Sequence, residues 1–273
     1  MSWLERLDRR WIFLVMGLLV LGPLLFPLNL PLGLSKEVRG FRDAIDHIPD
    51  GSTVLMSCDY DPGAIPEMVP MTRTAMRQLL QKRCKIVITV LWNAGPGLVD
   101  SVTREVAHEF PDRRYGIDWI NLGYKSGNEA VMVVMGQGIA NAFPRDYSGD
   151  DTRSFPIMRN VRDYSSFPLL VNISAGYPGT KEWVQQVQAR FHLPMVAGVT
   201  AVSAPEFYPY LQSGQLLGLL GGMAGAAEYE KSRGESGSAT KGMGAQSLGH
   251  VFVALCILLG NLVRRGGRDR SVS

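Results

Sequence analysis

The sharpest chemical signal in this chain is the hexapeptide CDYDPG, where Asp59 and Asp61 stand two residues apart. Residues i and i+2 share a face of an extended strand, and hard oxygen ligands are what Mg²⁺ or Ca²⁺ requires. Asp59 and Asp61 could therefore hold a divalent ion and support metal-assisted hydrolysis or transfer. Asp-Pro-Gly is also ordinary β-turn composition, which accounts for the same letters without a metal. No other cofactor is expected.

A second candidate is GYKSGNE, residues 123 to 129, where Lys125 could act as counter-charge to an anion and Ser126 or Asn128 could cap a helix that begins near Glu129. It lacks the GxxxxGK[ST] spacing of a phosphate-binding loop. SAGYPG places Ser174 and Tyr177 in a glycine-bounded turn, but GxSxG, the nucleophile elbow, does not occur. The three cysteines (Cys58, Cys84, Cys256) form no CxxC, which argues against zinc. The histidines are His47, His108, His192 and His250, and none falls where it could serve a serine or cysteine nucleophile.

These residues need elements to position them. From 35 to 230 the chain alternates short apolar, β-branched runs with amphipathic patterns, the signature of an α/β domain with a mainly parallel sheet. STVLMSC, KIVITVLW, YGIDWINLGY, PLLVNISA and PMVAGVTAV read as about five strands, buried on both faces. Helices fall between them, the first capped by Ser35 and one, TKEWVQQVQARF, by Thr180. The layout resembles flavodoxin-like or periplasmic-binding-like architecture, a resemblance that fixes no activity. In such folds ligands bind at the carboxyl ends of the strands. That rule gathers Asp59, Asp61, Asn93, Lys125, Glu129, Ser174, Tyr177, Ser203 and Glu206 as candidate ligand-binding residues.

SGQLLGLLGGMAGAAEYE, residues 213 to 230, reads as a glycine-rich helix whose Gly214, Gly218, Gly222 and Gly225 offer a small-residue face for association. Glycine costs about 1 kcal/mol in a helix interior, so this many require a close-packing reason.

Both ends of the chain are apolar. Residues 11 to 34 carry no charge after a basic flank (1 to 10), and residues 247 to 263 precede Arg264, Arg265, Arg268 and Arg270 in a tail ending at 273. Each is long enough to span a bilayer. A Gly/Ser-rich stretch, 231 to 246, reads as a flexible tether. The basic tail favours cytoplasmic termini and an extracytoplasmic domain.

The 273 residues carry a net charge of only +3, with no basic stripe interleaved with aromatics, so nucleic acid is not an expected partner. The expected partners are the lipid bilayer and either a second copy or another membrane protein. The sequence thus points to an anchored, non-enzymatic α/β module that assembles in a membrane and has room for a small ligand at its strand rim. The alternatives are a metal-assisted membrane-surface enzyme and a solute sensor.

Overall fold

The computed structural model describes residues 8–26 and 33–268, with side chains described as far as 261. It divides into two compact units, Leu32–Ala239 and a pairing of Met1–Pro31 with Thr240–Ser273.

The larger unit is a six-stranded, wholly parallel open sheet between two layers of helices. Its strands are β1 (Thr53–Asp59), β2 (Lys85–Val90), β3 (Trp119–Tyr124), β4 (Leu170–Ser174), β5 (Met195–Val199) and β6 (Gly218–Gly221). They lie in the order β3-β2-β1-β4-β5-β6. The expected sheet of about five strands thus gains a sixth. The order is that of doubly wound dinucleotide-binding folds, with the direction of winding reversing between β1 and β4. It differs from the flavodoxin-like order, in which a single strand lies beyond β1. The turn after β1 is YDPGA and lacks the GxGxxG fingerprint of dinucleotide binders.

One layer contains α2 (Lys36–His47), α3 (Ile65–Gln81), α4 (Pro96–His108) and α10 (Gly222–Ser232). The other contains α5 (Glu129–Gln137), α6 (Ile139–Ala142), α7 (Thr180–Trp183), α8 (Ala189–Phe191) and α9 (Ala204–Gln212). A π-helical stretch, Val184–Gln188, joins α7 to α8 in one continuous helix. Alternation along β1 sends Cys58 toward Thr72 of α3 and Asp59 toward Trp183 of α7. Ser35 caps α2 as expected, its Oγ accepting from the Val38 N–H.

Several expectations are corrected. The single helix over 213 to 230 is a turn, a strand and a helix. Gly214 (φ 75°) and Gly222 (φ 60°) take left-handed conformations that interrupt any continuous helix. Gly218 sits in β6, where a Cβ would overlap the backbone of Gly40 and Phe41. A Cβ on Gly225 would stand 3.0 Å from the Leu220 backbone, so this position too is closely packed. Gly214, Gly218, Gly222 and Gly225 therefore share no helix face, and three of them serve close packing within the domain. The helix expected to begin near Glu129 ends at Gln137, and Gly138 separates α5 from α6. Pro156–Asn160 forms a 3₁₀ turn.

The smaller unit contains α1 (Arg9–Leu25) and most of α11 (Ser238–Arg268). The tether expected over 231 to 246 is helical from Ser238 onward. Among the described residues one helix is long and apolar enough to cross a membrane, α11 over Ser238–Asn261, where two were expected. The 17 residues of α1 rise about 26 Å, less than a hydrocarbon core of roughly 30 Å. Residues 27–32 of the expected first span, and residues 1–7 and 269–273 of the expected basic flanks, lie outside the described residues. A Cβ on Gly249 would stand 3.9 Å from Met16 Sδ, so α1 runs beside α11. Trp11, Phe13, Leu18 and Leu21 of α1 are exposed, as are Val251, Leu255 and Leu258 of α11.

Candidate ligand cleft at the strand rim

Parallel strands bring the expected candidates to one rim, and the tertiary packing then sorts them. Asp59 closes β1 but points into the layer beneath α7, fully buried. Its carboxylate accepts from the Leu91 N–H (2.8 Å), Trp183 Nε1 (2.9 Å), Asn172 Nδ2 (3.2 Å) and the Ser57 hydroxyl. Asn172 in turn accepts from the Thr180 hydroxyl at 2.6 Å. Burial pushes the Asp59 carboxyl up to about 6 despite these four donors. Asp61 lies past the end of the strand and accepts from the Gly63 N–H at 2.9 Å, capping the turn that leads to α3. The two carboxylates hold separate partners and share none. Among the described residues no group of three or more His, Cys, Asp or Glu side chains could hold a metal ion.

Cys58, on the opposite face of β1, is fully buried, and burial raises its thiol far above the ordinary value. Such a thiol is a core residue rather than a nucleophile. Asn93 is exposed in the turn before α4, and Lys125 is exposed in the loop after β3. Neither meets the other candidates.

The remaining five do converge. Ser174 at the end of β4 and Tyr177 in the loop after it, with Glu206 at the start of α9, line a cavity of about 330 Å³. Ser203, Gly176, Val199 and Phe207 complete it with Thr180, Lys181 and Glu182 from α7. Glu129 joins through Tyr177, whose hydroxyl contacts both of its carboxylate oxygens at 2.9 Å. That carboxylate raises the Tyr177 phenol above its ordinary value.

The loop between β4 and α7 is tightly built. A Cβ on Gly179 would overlap the Gly176 carbonyl and Ser174 Oγ, so only glycine lets the chain fold back here. Trp92 holds the loop from the side of β2, its indole N–H donating to the Pro178 carbonyl at 2.8 Å. Glu182 accepts from the Gly179 N–H at 2.8 Å, closing the first turn of α7.

Sequence reading had not identified Lys181, Glu182, Phe207, Asn172 or Trp183. A polar Asn within the apolar run LLVNIS was a usable signal, because a polar side chain inside a doubly covered strand must find a partner. Nothing local marks Trp183.

No family model matches this chain, and no curated protein matches it. Among solved structures it is similar to the homocysteine methyltransferase MmuM from Escherichia coli, in its apo form. That similarity has 10% identity and a TM-score of 0.26, covering 70% of this chain and 99% of the other, too slight to carry any argument.

Proposed function

We propose that the chain is a membrane-anchored α/β binding module that holds a small polar ligand in the cleft beside β4 and β5. One observation carries this reading: a concave site at the carboxyl ends of β4 and β5, mixing hydroxyls, opposite charges and two apolar side chains. The first expectation, assembly through a glycine face, loses that support, since three of its four glycines serve close packing inside the domain.

The exposed apolar surfaces of α1 and α11 support the lipid bilayer as the first partner. In this reading both helices enter the membrane. The arginines at 264, 265, 268 and 270 hold the C-terminus in the cytoplasm, and the domain lies outside it.

Two measurements test the proposal. Thermal unfolding of the detergent-solubilised chain against a panel of small polar compounds should reveal stabilising ligands. A ligand at a hundred times its Kd adds about 2.7 kcal/mol. Ser203→Phe, which fills the cavity, should abolish the gain; a gain that survives it would place the ligand elsewhere. Cysteines introduced at Ser238 and Ser273 should label from outside intact cells at 238 alone. Labelling at both or neither would overturn the orientation.

A further inference from the structure

We propose that the cleft takes a small zwitterionic α-amino acid, its ammonium against Glu206 and its carboxylate against Lys181. This rests on the ligand-binding reading above and names the ligand class.

Lys181 and Glu206 come from different elements, α7 and α9, and face each other with Nζ and Oε1 3.5 Å apart. That is longer than a well-made charge-assisted hydrogen bond, about 2.7–2.9 Å. Both side chains are about half exposed, at 48% and 53%. An exposed pair of this length contributes little to stability, so opening it to admit a ligand costs little. An ammonium has three donors and a carboxylate about four acceptor sites, so each keeps capacity for a ligand group. In an α-amino acid the two charges are attached to one carbon, which suits a pair of counter-charges this close.

The rest of the wall fits the same class. Glu182 is engaged by the Gly179 N–H, which leaves Glu206 as the carboxylate facing the ligand's ammonium. Ser203 and Ser174 supply hydroxyls, and Val199 with Phe207 gives an apolar floor for a short side chain. About 330 Å³ lies at the small end of the range of roughly 300–1,000 Å³ for ligand pockets. A purely anionic ligand would meet Glu182 and Glu206, and a purely cationic one would meet Lys181. A neutral ligand would leave the Lys181–Glu206 pair closed and use neither charge.

The test is titration calorimetry on the full chain in detergent with glycine, L-serine and L-leucine. N-acetyl-L-leucine (no ammonium), L-leucinamide (no carboxylate) and glycerophosphoethanolamine (charges farther apart, as in a lipid headgroup) are the controls. At least one free amino acid should bind saturably, and each control at least tenfold more weakly. Lys181→Met and Glu206→Gln should each weaken binding tenfold or more without changing the circular dichroism spectrum. The swapped pair Lys181→Glu with Glu206→Lys should recover part of the loss.

Equal binding of either blocked leucine, preference for glycerophosphoethanolamine, or indifference to both single variants would overturn the proposal. If no amino acid binds but other panel compounds do, sensitive to Ser203→Phe, the ligand class is wrong and the cleft reading stands. If nothing binds there, both fall.

Discussion

The indole N–H of Trp183 donates to the Asp59 carboxylate across 2.9 Å, joining residues 124 positions apart in the chain. Together with Asn172 and Leu91, this bond ties β1, β4, the end of β2 and α7 to one buried carboxylate. The first turn of α7 supplies Thr180, Lys181 and Glu182 to the cleft, so Asp59 positions a wall it does not line.

Removing that carboxylate leaves its donors unpaired in the buried interior. Asp59→Ala should cost about 3–5 kcal/mol, because up to four buried donors lose their acceptor at about 1 kcal/mol or more each. Trp183→Phe keeps the ring and loses a single donor, and should cost about 1–2 kcal/mol beyond its lost packing. Thermal unfolding in detergent checks both, and equal losses would show that the indole N–H carries the network.

The same group gives a pH signature. Burial raises Asp59 from an ordinary 3.8 to about 6. A carboxyl that holds its proton more tightly when folded stabilises the fold below pH 3.8. That contribution declines as pH rises through the window from 3.8 to about 6 and is absent above it. A shift of about two units corresponds to roughly 3 kcal/mol. Asp59→Asn does not titrate, so the stability difference between wild type and variant should fall with rising pH across that window. A constant difference would mean that Asp59 stays ionised throughout.

Gly40 and Gly218 let α2 and β6 touch backbone to backbone. Gly218→Ala should therefore cost about 3 kcal/mol, near the upper end for forced overpacking, or prevent β6 from joining the sheet. Gly214→Ala meets open space and only the strain of a positive φ, and should cost about 1 kcal/mol. Unfolding midpoints of the two variants should separate clearly. If association through a glycine face were the purpose, both would instead alter oligomeric state with little loss of stability.

Leu255 is exposed midway along the apolar part of α11. An arginine at the centre of a spanning helix costs about 2.5–3.5 kcal/mol on insertion scales. Leu255→Arg should therefore move part of the protein out of the carbonate-resistant membrane fraction. An unchanged distribution would show that α11 does not span.

The amino-acid sequence by itself determined five strands, most of the helices between them, the Ser35 cap and the apolar character of both ends. These are local properties: β-branched runs, helical periodicity and turn residues act over a few neighbours. It also placed Ser174, Tyr177 and Glu206 at one rim, because parallel strands put every following loop on the same side. Tertiary structure alone decided that LLGLLGG contributes a strand, since Gly218 is settled by its contact with Phe41, far away in the chain. It alone decided that Asp59 belongs to the interior. A strand covered on both faces shows no alternation from which to read the direction of a side chain. The pairing of Lys181 with Glu206 was likewise beyond local reading, because sequence spacing carries no distance between α7 and α9 until the sheet fixes the strands before them side by side.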